Sequence, residues 1–187
     1  VELVAPRGIL LSIDDDRPAE SLEAGREIVF GEVPEVVSLR ENGVHFQVPL
    51  REGQKTGWFY DHRDNRRRLS AISAGKSVLD VFAYLGGWGL QAAAAGASSV
   101  VCVDSSALSL SYAEQTAKRM AYADAFTALR GQANDVLKQL LAEGRQFDVI
   151  VLDPPAFIKR RKDSRRGETA YHQVNQLAMR LLAPEGV

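Results

Sequence analysis

The sequence predicts a doubly wound α/β fold with a mostly parallel sheet, preceded by a small β-rich domain. Three observations carry that prediction. From residue 77 onward, short apolar runs alternate with stretches of helical length. That alternation is the pattern of βαβ units, whose parallel sheet is covered on both faces. The apolar runs end in acidic residues or glycines, where such sheets bind their ligands. Before residue 60 the chain reads instead as strands and tight turns, with Asn42-Gly43 between two β-branched runs, a strong hairpin signal.

The elements follow in order. Residues 1–27 are polar, acidic and weakly periodic, and Asp14-Asp15-Asp16-Arg17-Pro18 reads as a loop. Val36–Arg40 and Val44–Pro49 are the hairpin arms, within a β-rich piece placed at about 28–60. Asp61–Ser73 reads as a helix with Leu69 and Ile72 as apolar anchors. Ser77–Phe82 is a strand, and Gly87–Ala95 a helix closed by Gly96. Ser99–Asp104 is a strand, Ser105–Tyr122 a helix, Phe126–Leu129 a strand and Asp135–Glu143 a helix. Phe147–Leu152 is a strand too apolar to be half exposed, and Glu168–Leu182 is a helix. Two domains are expected, at 1–60 and 61–187.

Composition narrows the class. At 45% hydrophobic and 25% charged, the 187-residue chain has the balance of a soluble globular protein. No apolar run approaches the roughly 20 residues of a membrane helix. One cysteine excludes an internal disulfide framework and a Cys-rich zinc site, and suits a reducing, cytoplasmic setting. His45, His62 and His172 show no metal-ligand spacing and are assigned no role. Residues 1–50 hold 4 basic and 10 acidic side chains, whereas residues 51–187 hold 19 and 14. The basic character of the later part suits a polyanionic partner.

The strand ends hold the candidate chemistry. The first parallel strand runs through Asp80 and Phe82 to Gly86-Gly87-Trp88-Gly89. Glycines there admit close backbone approach, and the following helix offers free N–H groups. Gly87–Ala92 also fits the dinucleotide pattern G-x-G-x-x-A. In that fold the glycines follow the strand almost directly, so the longer spacing from Asp80 disfavours a nicotinamide cofactor. Asp104 ends the second strand, where an acid suits both hydroxyls of a ribose or the cap of the next helix. Asn134 and Asp135 suit an adenine edge or a helix cap equally. The fourth strand ends in Asp153-Pro154-Pro155-Ala156-Phe157. Prolines stiffen this turn and present Asp153 as a rigid acceptor for the donor edge of a base, with Phe157 in position to stack.

Taken together, Asp80…Gly86-Gly87, Asp104, Asn134-Asp135 and Asp153-Pro154-Pro155 resemble a Rossmann-like class I S-adenosylmethionine-dependent methyltransferase. The run Gly53–Arg66, with Trp58-Phe59-Tyr60-Asp61-His62-Arg63, resembles a signature of bacterial 23S rRNA cytosine-5 methyltransferases carrying an N-terminal PUA domain. The resemblance covers about residues 30–187. It implies S-adenosyl-L-methionine as cofactor and ribosomal RNA as partner, and it assigns no oligomeric state. It places Asp80, Phe82, Gly86 and Gly87 around the methionine part of the cofactor, and Arg63 either on its carboxylate or on the solvent face of its helix. Asp104 falls on the ribose, Asn134 and Asp135 near the adenine, and Asp153, Pro154 and Phe157 at the target base. The PUA domain has no counterpart here, and the chain supplies four of the family's seven strands, so it reads as an excerpt of a longer protein.

Methylation at C5 of cytosine needs a thiolate added at C6, giving an enamine-like species that attacks the methyl sulfonium before the C5 proton is lost. Cys102, inside an apolar strand, reads as a core residue. In the resembled family the nucleophile lies after the fifth strand, beyond Val187. The block Lys159, Arg160, Arg161, Lys162, Arg165 and Arg166 follows the base motif and suits phosphate contacts or a solvated loop. A same-fold purine methyltransferase and a non-catalytic cofactor- or RNA-binding module are the alternative functions.

Overall fold

The computed structural model describes residues 5–13, 25–51, 57–158 and 163–187. The chain groups into two compact units, Val1–Leu39 with Gln47–Tyr60, and Arg40–Phe46 with Asp61–Val187.

In the first unit, β1 (Gly8–Ile13) pairs antiparallel with β2 (Gly25–Gly31). These strands begin well before the β-rich piece expected from residue 28. Ile9-Leu10-Leu11 is an unbroken apolar run without period-2 alternation, so the strand was legible only through its pairing across a long connection. The hairpin arms are β3 (Val36–Glu41) and β4 (Val44–Pro49). Asn42 and Gly43 both lie at positive φ, 49° and 90°, as a two-residue primed turn requires.

In the second unit, a single 3-10 turn at Tyr60–His62 leads into α1 (Arg63–Ala71). The parallel sheet then forms from β5 (Ser77–Val81), β6 (Ser99–Asp104), β7 (Phe126–Arg130) and β8 (Val149–Leu152). Its spatial order is β7-β6-β5-β8. The order reverses between β5 and β8, so the crevice beyond their carboxyl ends is where a ligand belongs. The connecting helices are α2 (Gly87–Ala94), α3 (Ala107–Arg119), α4 (Ala133–Ala142) and α5 (Ser164–Leu181).

Alternate side chains of the central strands feed two cores. Leu79, Val81, Val101 and Val103 meet Val136, Leu137 and Leu140 of α4 and Val174 and Leu181 of α5. Val78, Val100 and Cys102 meet Ala92 and Ala93 of α2 and Leu110 of α3. Helices therefore cover both faces, and β5 and β6 are nearly continuous in apolar sequence because neither face meets water. Asp148 fixes the β5/β8 register at its start, accepting the Ser77 N–H and hydroxyl at 2.8 Å each.

β8 departs from expectation. It is shorter than the predicted 147–152, and Ile150, Val151 and Leu152 are only half-buried. Among the described residues β8 stands last in the sheet order, and Val187 lies beside it, donating to Asp148 O (2.8 Å) and accepting from Ile150 N–H (2.9 Å). α5 begins four residues earlier than expected, at Ser164. Gly167, which weakens a helix by propensity, is buried there, so packing outweighs propensity.

The hairpin tip, Arg40–Phe46, belongs to this second unit and holds a buried charge there. Glu41 and Arg66 are 2% and 3% exposed. Arg66 donates twice to Glu41, Nε to Oε1 at 2.7 Å and Nη2 to Oε2 at 3.1 Å. Gln91 donates to Glu41 Oε1 (2.8 Å), and Asn42 donates to Gln91 Oε1 (2.7 Å) and to Arg63 O (3.0 Å). The tip, α1 and α2 are thus joined by one buried polar network. Removing one partner of such a pair strands the other, at a cost of about 3–5 kcal/mol. Glu41→Leu should lower stability by that amount in denaturant titrations, and Glu41→Leu with Arg66→Met should recover at least half of the loss. Equal instability of the single and double variants would show that the charges themselves are not what the network needs.

Candidate functional site

The turn after β5 holds two strained non-glycine residues. Phe82 and Tyr84 lie in the left-handed region, at φ 68° and 51°, each at a cost of roughly 1–3 kcal/mol. Four hydrogen bonds hold the turn. Phe82 and Ala83 N–H both donate to Val103 O (2.9 and 3.0 Å), Tyr84 N–H to Asp104 Oδ2 (2.8 Å), and Gly86 N–H to Ala83 O (2.8 Å). Gly86 stands at φ 72° as the N-cap of α2, a conformation glycine adopts without a steric penalty. Gly89 serves a different end. A Cβ there would fall 2.5 Å from Cys102 Sγ, so only glycine lets α2 settle this closely on β6.

Asp80 lies beneath that turn, fully buried. Its Oδ2 accepts the Gly89 N–H at 2.9 Å, and its Oδ1 is buried without a partner among the described residues. Burial, above all, pushes its pKa up to about 7; the Gly89 hydrogen bond opposes that rise, and the negative charges of Asp153 and Asp104 add to it. Cys102 Sγ lies 3.8 Å from Asp80 Oδ2. Burial first, then the neighbouring Asp80 charge, push the thiol well above its ordinary value, the surroundings of an inert core cysteine.

Asp104, half-buried at the end of β6, accepts the N–H of Tyr84 through Oδ2 and that of Ser106 through Oδ1, each at 2.8 Å. The cap of α3 is Ser106, whose Oγ accepts the Ser109 N–H (3.1 Å). Each Asp104 oxygen has a further lone pair for a ligand. Asn134 (half-buried) and Asp135 (exposed) occupy the first turn of α4, behind the N-cap Gln132. Gly131 N–H donates to Asp104 O (3.0 Å), tying the β7 exit to that of β6.

Asp153 leaves β8 with its N–H 3.4 Å from Val81 O. Trp88 Nε1–H donates to its Oδ2 at 3.2 Å. His62 Nε2 stands 3.9 Å from its Oδ1, and the imidazole lies against the Trp88 ring at 5.5 Å. Pro154 is half-buried. Phe157 does not stand free. Its N–H donates to Tyr171 Oη (3.2 Å), and its ring contacts Tyr171 (4.6 Å) and Phe82 (6.1 Å).

Asp80, Phe82, Gly86, Gly87, Asp104 and Asp153 therefore converge on the carboxyl ends of β5, β6 and β8. Arg63 is exposed at the start of α1. Arg165 and Arg166 are exposed in the first turn of α5, and Lys159, Arg160, Arg161 and Lys162 lie outside the described residues. His62, Trp88 and Tyr171 belong to the site without having been singled out in sequence. For Trp88 a signal existed, an aromatic inside the glycine turn, and His62 lies inside the Gly53–Arg66 signature run; Tyr171 reaches the site only through tertiary packing.

A doubly wound sheet with an acid at the exits of β5, β6 and β8 and a glycine turn at the switch point defines a nucleoside-cofactor fold. The chain belongs to the S-adenosylmethionine-dependent methyltransferase family, whose model matches residues 7–187. It is 39% identical over 173 residues to the ribosomal RNA large subunit methyltransferase I of Aeromonas salmonicida, covering 91% of this chain and 44% of that protein. The relative of the same name from Shewanella denitrificans is 38% identical over 175 residues, covering 92% and 44%. Among solved structures, SMU.776 complexed with SAH superposes with a TM-score of 0.75 at 27% identity, covering 86% of this chain and 43% of that one. The chain thus spans less than half the length of these relatives.

The Asp80 shift gives a pH signature. An acid with a raised folded-state pKa binds its proton more tightly in the native state, so stability from this group is full below about pH 4 and falls as pH rises toward 7. The loss is on the order of 4 kcal/mol, at about 1.4 kcal/mol for each pH unit between the two pKa values. Asp80→Asn should gain in Tm relative to wild type between pH 4 and 7. Parallel melting curves across that range would rule the shift out.

Proposed function

We propose that this chain is the cofactor-binding and base-binding part of an S-adenosylmethionine-dependent methyltransferase acting at C5 of a cytosine in large-subunit ribosomal RNA, in the cytoplasm. The single observation that carries the reading is the convergence of Asp153, on its proline-stiffened turn, with the Gly86-Gly87 turn and Asp104 at one switch point. The shared name of the relatives supports the choice of RNA.

The residues present fit the cofactor. The orphaned Asp80 Oδ1 suits a cationic group, the strained glycine turn offers backbone N–H groups, and Asp104 keeps lone pairs for a pair of hydroxyls. Asn134 and Asp135 are assigned to the adenine end, and Phe82, Gly86 and Gly87 to the methionine end. The exposed Arg63 is the candidate for the carboxylate. When bound, the cofactor supplies a methyl group on a sulfonium. Asp80 acts chiefly by fixing the turn, since Gly89 engages its Oδ2. Asp153 presents an acceptor to an amino-bearing base edge, and Pro154 with Phe157 keeps that presentation rigid. The thiolate that C5 chemistry requires is not Cys102, which is fully buried.

Four outcomes are expected, all in the intact protein. Asp104→Ala should weaken S-adenosylmethionine binding by about 1–3 kcal/mol by calorimetry, the cost of stranding hydrogen-bond partners. Asp153→Ala should bind the cofactor normally and lose methyl transfer. Nucleoside mass spectrometry of treated rRNA should show 5-methylcytidine, and a methylated purine instead would overturn the cytosine assignment. Replacing Arg160, Arg161, Arg165 and Arg166 by Ala should weaken RNA binding for all sequences alike and flatten its salt dependence. An unchanged slope would return the basic block to an ordinary solvated surface.

A further inference from the structure

Resting on the reading above, we propose that His62 is a positioning residue for Asp153, holding that carboxylate in the orientation in which it meets the target base. The two oxygens of Asp153 are addressed from two different helices. Trp88, in the first turn of α2, donates to Oδ2 at 3.2 Å. His62, at the N-terminus of α1, brings Nε2 to 3.9 Å from Oδ1. At that distance the contact is electrostatic, longer than a hydrogen bond. Nε2 also lies 3.6 Å from Asp61 Oδ2. A nitrogen facing two carboxylate oxygens is the one that carries the proton, because a lone pair there would face negative charge.

Among the described residues no hydrogen bond ties the ring to a plainer structural role. His62 occupies the N-cap position of α1 but makes no side-chain cap hydrogen bond. Its Nδ1 is buried without a partner among the described residues. A histidine kept for packing alone has its buried nitrogens satisfied, and an orphan of this kind calls for another explanation. The imidazole lies against Trp88, and the Arg66 guanidinium lies 5.8 Å from the same indole. Arg66 is fixed by Glu41, so a chain of fixed groups runs from the buried ion pair through Trp88 to both partners of Asp153. With side-chain exposures of 32% and 40%, His62 and Asp153 remain reachable by a ligand. The carboxylate keeps lone pairs that point to neither helix, and their direction is set by the two contacts.

The test uses the intact protein with His62→Ala and His62→Gln. Because a misplaced contact group near the chemistry costs up to about 100-fold, His62→Ala should lower kcat/KM for RNA about 10–100-fold while calorimetry shows unchanged cofactor affinity. His62→Gln, whose carboxamide N–H replaces Nε2–H, should recover to within about threefold of wild type by the same reasoning. Nitrogen-15 NMR should show His62 protonated at Nε2 in wild type and a shifted tautomer balance in Asp153→Asn. This last readout needs no RNA and stands whether or not the RNA reading holds. A His62→Ala enzyme with wild-type kinetics, a His62→Gln enzyme as impaired as His62→Ala, or a tautomer balance indifferent to Asp153→Asn would each overturn the proposal.

Discussion

Asp80 accepts the Gly89 N–H from beneath α2, in a place where no water reaches either group. The rest of the site is built on that bond. It fixes where α2 begins, and with it the turn that carries Phe82 and Tyr84 at positive φ. An unpaired helix N–H at that depth, or a carboxyl without a donor, is costly. The turn therefore has one arrangement in which the buried polar groups are best satisfied. Trp88, one residue before Gly89, is aimed at Asp153 as a consequence. The acid at the exit of β5 thus positions the acid at the exit of β8 without touching it.

A second buried charge does comparable work on the other side of α2. The Glu41–Arg66 pair, with Gln91 and Asn42, joins the hairpin tip to α1 and α2. Burying an ion pair gains little stability over a packed apolar pair. What it supplies here is direction, since guanidinium and carboxylate meet as a planar fork. Arg66 is held beside the Trp88 indole, and α1 is oriented so that His62 reaches the same carboxylate as Trp88. Two networks, one centred on Asp80 and one on Glu41, thus meet at Asp153.

Much of this was legible in the sequence. Three of the four parallel strands announced themselves as β-branched apolar runs, and all four were found within a few residues of their predicted spans. Asn42-Gly43 specified its turn because few other dipeptides tolerate two positive φ values. The strand-end acids were legible because topology puts strand ends at one edge of a doubly wound sheet. β1 was not, since Ile9-Leu10-Leu11 carries no alternation and its partner lies across a long connection.

By itself the sequence determined the class of fold, the order of its elements and the acids at the ends of the parallel strands. These follow from local period and turn chemistry, which a linear chain records directly. Only the tertiary structure decided what each acid does. Asp80 became a buried clamp with a raised pKa because α2 covers it, and Asp104 a tether for the turn because Tyr84 N–H faces it. Phe157 became part of an aromatic cluster because α5 brings Tyr171 to it. His62, 91 positions from Asp153 in the chain, became its neighbour because two helices and a buried ion pair set their distance. Burial, partner and orientation are properties of contacts between distant segments, and local patterning carries no record of them.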